Sequence, residues 1–163
     1  MEQFRKGILG STITFDVGLA RNFPIAGWEP LHYVMQQWVV RKAFEKHQID
    51  TFAMVNLPTK MALPIAVFRS RTQPGAFTML LDAKANGESL IAAVHFKELQ
   101  GRGRVAFIPS VHHKTTQSIL WWIEQGDGVL YDPKKCQEWL QNSAPSNWEQ
   151  YADHLGCLQC KTT

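Results

Sequence analysis

The dipeptide Asn86-Gly87 stands between two apolar runs and constrains the fold more than any other feature of this sequence. The runs are AFTMLLDA before it and ESLIAAVHF after it. Asn-Gly readily adopts the positive φ angles of the tight turns that join neighbouring antiparallel strands. The segment therefore predicts a β-hairpin and, with it, an antiparallel sheet.

Three further segments have the composition of strands. PIAVFRS precedes the hairpin and is rich in branched and aromatic residues, RVAFIPSV follows the glycine-rich QGRGR, and VLYD comes later. GRGR is a turn rather than a phosphate-binding loop, because no helix follows it. Together with the hairpin these segments predict a sheet of four to five antiparallel strands.

The part of the chain before Pro64 has helical periodicity. In LHYVMQQWVVRKAFEKH the apolar residues recur at steps of three and four, which predicts a helix that ends near Lys46 and His47. DTFAMVNLPTKM predicts a second, short helix with Asp50 or Thr51 as its cap, ended by Pro58.

Two more helices are predicted late in the chain. TTQSILWWIEQ has Thr115 or Thr116 as its cap, and PKKCQEWLQ opens on Pro133. The Trp121-Trp122 pair of the first is typical of core packing, although one ring must point away from the apolar face, which leaves a base-stacking platform as the alternative.

The order of these elements predicts the fold class. Helices come first, an antiparallel sheet follows, and a helix is inserted late, which indicates an α+β domain rather than a doubly wound sheet. Residues 1–140 are expected to form this single domain after an irregular lead-in. Residues 141–163 are expected to be a weakly held C-terminal tail.

Composition excludes several classes of protein. The 163 residues are 45% hydrophobic, which suits one domain with a core, and the net charge of +3 fits either an anionic partner or an ordinary basic surface. No apolar run approaches the ~18 residues that a membrane span needs. His154, Cys157 and Cys160 are three residues apart, but no fourth ligand with the spacing of a zinc site accompanies them. Neither a metal nor another cofactor is expected.

The segment IPSVHHKTTQ concentrates groups that carry protons or bind phosphate. Strand alternation places Ser110 and His112 on one side, with Lys114 beyond them, and His113 on the other side. Hydroxyls and cations at the end of a strand are well suited to an anionic ligand, so we expect one wall of a phosphate-handling cleft here.

Similar groups end two other elements. Arg69, Ser70 and Arg71 close the strand PIAVFRS, and His47 closes the long helix. Metal-independent RNA cleavage needs a base for the 2′-hydroxyl, cations for the phosphate and an acid for the leaving oxygen, and these residue types supply all three. The candidate catalytic residues are His47, Arg69, Ser110, His112 and Lys114. The candidate substrate-binding residues are Ser70, Arg71, His113 and Thr115.

Several of these residues also have an ordinary structural interpretation. A histidine at a helix end commonly interacts with the helix dipole, and hydroxyls after a strand commonly cap the next helix, as His47, Ser110 and Thr115 would. Arg71 has the position of a solvated charge. His95, inside the second strand of the hairpin, is more typical of a packed histidine than of a catalyst.

The order of segments resembles the C-terminal domain of phage MuF-type head-morphogenesis proteins. The resemblance rests on VVRKAFEKH, then LPTKMALPIAVFRSRTQPGAFTMLLD, then a hairpin ending AAVHF, then VAFIPSVHHKTTQSILWWIEQGDGVLYDPKK. It extends from about Gly7 to Leu140. The most specific parts are the helix ending in KH, the strand entry at PIAVF and the strand end at SVHHK.

The resemblance implies a fold, an activity and partners. That family looks like a branch of the barnase/EndoU/colicin/RelE-like RNase group: α+β domains, attached to phage proteins or secreted toxins, that act on RNA in the bacterial cytoplasm. RNA, an immunity or antitoxin protein, and phage structural proteins are the partners it implies. The functional positions would be His47, Arg69, Ser70, Ser110 and Lys114. His112 stands where the family pattern has Tyr, so it either takes over as acid or base or accompanies a loss of activity.

Three hypotheses follow. The chain is a metal-independent endoribonuclease toxin that cleaves cellular RNA such as tRNA, a non-catalytic module that binds RNA or protein, or a structural phage component. The first depends on one spatial condition, that His47 and Lys114 lie around the same open pocket.

Overall fold

The computed structural model describes residues 14–19, 31–99 and 103–155. Within these ranges the chain forms seven strands and five helices. In chain order they are β1 (Thr14–Leu19), β2 (His32–Gln36), α1 (Gln37–Glu45), α2 (Thr51–Ala62), β3 (Ala66–Arg69), β4 (Phe77–Ala85), β5 (Glu88–Leu99), β6 (Gly103–Lys114), α3 (Thr116–Glu124), β7 (Gly128–Tyr131), α4 (Pro133–Ser143) and α5 (Trp148–His154).

The strands form one sheet in the order β1-β2-β6-β5-β4-β3-β7. The mixture of helices and strands agrees with the predicted α+β class. The expectation of a purely antiparallel sheet is wrong, because β2 pairs with β6 in parallel. The predicted strand count is also too low, since β1 and β2 extend the sheet beyond β6.

The Asn-Gly hairpin is confirmed. Ala85 pairs with Glu88 across the turn, and Asn86 and Gly87 have φ angles of 52° and 76°. Positive φ at both central positions is what a tight turn between right-twisted strands requires. The prediction succeeded because the signal is local.

The predicted start of the first helix is wrong. Residues 32–36 form strand β2, and α1 begins only at Gln37. Tyr33, Val34 and Met35 are all buried, with exposures of at most 2%. A surface helix buries one stripe and leaves the neighbouring positions to solvent, whereas an interior strand can bury consecutive residues on its two faces.

Pro58 does not end the second helix, which continues to Ala62. Asp50 caps its start by accepting a hydrogen bond of 2.7 Å from the Ala53 amide. Proline removes one backbone hydrogen bond of the helix. Leu57 and Met61 are both buried in the core on either side of it, and this packing holds the last turn in helical conformation.

Helices cover both faces of the sheet. One core contains buried residues of α1 and α2. The other contains buried residues of α3, α4 and α5, and the indole N–H of Trp139 donates a hydrogen bond of 2.9 Å to Ser89 Oγ within it. The prediction placed residues 141–163 in a weakly held tail, but the described residues of this segment include Ala144, Tyr151 and Leu155, all buried in the second core.

The packing of α5 predicts a substantial loss of stability on truncation of Tyr151. Replacing this buried ring by alanine leaves a cavity under the helix, and we expect Tyr151→Ala to lower the free energy of unfolding by about 2–4 kcal/mol. Gln150→Ala, at an exposed position of the same helix, should stay within about 0.5 kcal/mol of the wild type. Urea denaturation measures both, and equal stability of the two variants would contradict the packing.

Candidate functional site

A cavity of about 410 Å³ lies over the middle of the sheet, next to α3. Four adjacent strands, β6, β5, β4 and β3, contribute to its floor. The lining residues are Phe68, Arg69, Ser70, Arg71, Thr72, Thr78, Ile91, Ala93, His95, His112, Lys114, Trp121 and Trp122. Cations, imidazoles and indoles thus surround one concave surface.

Strand β6 supplies the imidazole and the amine of this cavity. His112 and Lys114 are two residues apart on one face of the strand, so their Cα atoms are separated by about 6.6 Å. His112 Nδ1 lies 2.7 Å from Ser110 Oγ, which leaves Nε2 as the ring nitrogen free of this contact. The Lys114 amine lies 5.6 Å from the centre of the Trp122 ring, within the range of a cation–π interaction.

The environment of His112 favours its neutral form. Burial lowers the pKa of His112 to about 4, and the positive charges of His47 and Lys114 act in the same direction. At neutral pH the imidazole is therefore unprotonated and can accept a proton.

The end of β3 supplies guanidinium and hydroxyl groups. Arg69 and Ser70 line the cavity as predicted candidates, and Arg69 is exposed. Arg71 also lines it, but its guanidinium forms an ion pair of 3.0 Å with Asp127 and lies 4.8 Å from the centre of the Trp121 ring. Its charge is therefore compensated by a carboxylate. Arg69 borders the cavity, but its register partner Phe77 belongs to the first core, so its side chain starts from the other face of the sheet.

His47 does not line the cavity, so the spatial condition set from the sequence, that His47 and Lys114 border the same open pocket, is not met and the catalytic hypothesis has to rest on His112 instead. The ring centre of His47 is 5.2 Å from that of His112 and 6.4 Å from that of His113. The described pairing of β2 with β6 stops at Phe107, so α1 passes along a stretch of β6 that has no partner strand on that side. His47 follows α1 and can therefore touch rings from both faces of β6. Burial and the neighbouring Lys42 lower its pKa as well.

Two predicted substrate-binding residues lie away from the cavity. His113 points to the other face of β6, where its Nδ1 forms a short hydrogen bond with the Glu88 carboxylate. Thr115 caps α3, because its hydroxyl accepts a hydrogen bond of 3.3 Å from the Ser118 amide. Its structural interpretation as a helix cap is confirmed.

Several lining residues were not among the predicted site residues. His95 lies in the cavity because Ile91, Ala93 and His95 alternate onto the same face of β5. Trp121 is 44% exposed and borders the cavity from α3. Strand alternation was a signal for His95, but no local pattern indicates which indole faces the sheet.

Two classes of feature are absent from the described residues. Residues 14–19, 31–99 and 103–155 contain no group of three or more His, Cys, Asp or Glu side chains arranged to hold a metal ion. No helix in the same ranges has both the length and the apolar character needed to cross a membrane. Cys157 and Cys160 lie outside the described residues.

The low pKa of His112 predicts its titration. In an NMR titration its midpoint should lie at about 4, and Lys114→Met should raise it because one positive charge is removed. Unfolded His112 binds its proton near pH 6.5 and the folded residue near 4, so this group lowers stability as the pH falls through that window. A wild-type midpoint near 6.5 would contradict the described environment.

Comparison with known proteins identifies the family. The family model described as the phage MuF C-terminal domain matches residues 39–138. This range begins in α1, ends in α4 and includes every residue that lines the cavity. No curated protein and no solved structure matches the chain. Because the match covers more than half of the sequence, the chain belongs to the phage MuF C-terminal domain family.

Proposed function

We propose that this domain is a metal-independent endoribonuclease that cleaves RNA by attack of the ribose 2′-hydroxyl. The observation that carries the proposal is the pairing of His112 and Lys114 on one cavity wall. Their Cα atoms are about 6.6 Å apart along the strand, so a neutral imidazole and an ammonium project from neighbouring positions on the same face and can flank one phosphodiester. Arg69, at the border of the same cavity, is a second candidate cation.

His112 acts as the general base. In the tautomer whose Nδ1–H donates to Ser110 Oγ, the lone pair of Nε2 is available to take the proton from the 2′-hydroxyl. Ser110 is a positioning residue that holds the ring, and its hydroxyl can accept the hydrogen bond that this tautomer requires. The lowered pKa of His112 keeps it in the accepting form at neutral pH.

Lys114 and Arg69 act on the phosphate. As the 2′-oxygen bonds to phosphorus, their charges stabilise the additional negative charge of the pentacoordinate phosphorus. The bond from phosphorus to the 5′-oxygen then breaks, and the Lys114 ammonium gives that oxygen a proton. The products are a 2′,3′-cyclic phosphate and a 5′-hydroxyl, so no metal or redox partner is required.

The biological setting belongs to the same proposal. Membership in a phage domain family associates the chain with phages. We propose that it is a toxin or effector of the barnase/EndoU/colicin/RelE-like group, acting on RNA such as tRNA in the bacterial cytoplasm and held in check by an immunity or antitoxin protein. Helices packed on the antiparallel strands β3 to β6 support that placement.

A second candidate function is binding without turnover, to RNA or to a phage structural protein. The observation that favours it is the pair His47 and His112, whose pKa values are both lowered. Neither imidazole then serves as an acid at neutral pH, and a cationic cavity without an acid would retain a phosphate without cleaving next to it.

Cleavage of RNA in EDTA distinguishes these functions. We expect the purified protein to cleave total RNA without added metal, and His112→Ala to reduce the rate by at least about 100-fold. Lys114→Ala should lose a similar factor. Lys114→Arg should recover little, because arginine keeps the charge but hardly releases a proton.

Matched controls come from exposed residues outside the cavity lining. His154→Ala on α5 and Lys84→Ala at the end of β4 remove the same chemical groups elsewhere. Their cleavage rates should equal that of the wild type. If the wild-type protein binds RNA but forms no 2′,3′-cyclic phosphate, the catalytic proposal is wrong and the second candidate function, binding without turnover, holds.

The pH dependence gives an independent check. His112 must be unprotonated to act as the base, and its pKa lies at about 4. We therefore expect kcat/KM to rise with pH through about 4 and the effect of His112 to be nearly constant close to neutrality. Lys114→Met should shift the limb to higher pH, because it raises the pKa of the base. A limb with its midpoint near 6.5 would assign the base to another group.

A further inference from the structure

Trp121 and Trp122 have different surroundings although they are neighbours on α3. Trp122 packs against Phe68 with ring centres 5.5 Å apart and has Lys114 above its ring. Trp121 is 44% exposed and lines the rim of the cavity. Consecutive helical residues point about 100° apart, so one indole joins the core while the other faces solvent.

The exposed indole is held in place on one side. The Arg71 guanidinium lies 4.8 Å from the centre of the Trp121 ring. Asp127 fixes that guanidinium through contacts of 3.0 and 3.3 Å to its two carboxylate oxygens. The ion pair with Asp127 therefore holds the guanidinium next to the Trp121 ring.

We propose that Trp121 is the stacking platform for an unpaired nucleotide base whose phosphate lies beside Lys114. This inference rests on the proposed function and names its substrate class as single-stranded RNA. A base inside a duplex is already stacked on its neighbours and cannot present its face to an indole at a cavity rim. Every base has a face that can stack, so the platform selects unpaired strands without selecting a sequence.

The test uses a short single-stranded RNA with 2′-O-methyl riboses, which cannot be cleaved by 2′-hydroxyl attack. Its affinity is measured by fluorescence anisotropy in EDTA, beside the same sequence annealed to its complement. We expect the wild type to bind the single strand at least about tenfold more tightly than the duplex. Trp121→Ala should weaken single-strand binding by about 5- to 150-fold, the loss expected for one stacked base.

Matched variants separate stacking from other effects. Trp38→Ala removes a similarly exposed indole, 48% exposed, that does not line the cavity, and should bind like the wild type. Trp121→Phe should keep most of the affinity, because an aromatic face remains. Asp127→Asn should weaken binding less than Trp121→Ala, since it only loosens the support of the ring.

The salt dependence identifies the part played by the phosphate. Trp121→Ala should leave the slope of log affinity against log salt unchanged, whereas Lys114→Ala should reduce its magnitude by about 0.7 for one lost phosphate contact. Single-strand affinity that is equal in Trp121→Ala and wild type, or equal binding of single strand and duplex by the wild type, overturns the proposal.

The two proposals fail in different ways. If the wild type does not cleave RNA but its RNA binding depends on Trp121, the nuclease proposal is wrong and the stacking proposal stands. Cleavage that persists with unaltered binding in Trp121→Ala removes the platform and leaves the nuclease. Circular dichroism of each variant identifies any substitution that acts through misfolding, and Trp121→Phe then decides between the outcomes.

Discussion

Antiparallel pairing between β5 and β6 is the interaction on which the site depends. It places His112 beside Ile91 and Ser110 beside Ala93, and the same rows continue through β4 to β3. Since side chains in these rows share a face, the imidazole of β6 lies on the same concave surface as Phe68 of β3, next to which Arg69 and Ser70 end the strand, although these residues are far apart in sequence. A shift of one residue in this register would turn His112 toward the first core and His113 toward the cavity.

Much of the fold could be predicted where the signal was local. The Asn86-Gly87 turn and the caps at Asp50 and Thr115 are matters of a few neighbouring residues, and each is present. β2 was missed because its apolar spacing also fits a helical stripe. Only the tertiary pairing with β6, which no local window contains, decides between the two.

The candidate site was predicted in part for the same reason. Alternation along β6 correctly placed Ser110 apart from His113, and the strand end at Arg69 does border the cavity. The contact of His47 with His112 could not be predicted from the sequence, because it depends on where the pairing of β2 with β6 stops. The rotation of Trp121 toward solvent likewise depends on how α3 sits on the sheet.

Strand β2 has a consequence for any shortened version of this domain. It lies outside the range matched by the family, yet it covers one side of β6 at Ala106 and Phe107. A fragment that begins at residue 39 would lack β2. The amides and carbonyls along that side of β6 would then be exposed, together with apolar side chains that are buried in the intact domain. An unpaired strand edge of this kind can pair with another chain. The minimal folding unit is therefore larger than the range of residues that the family model matches.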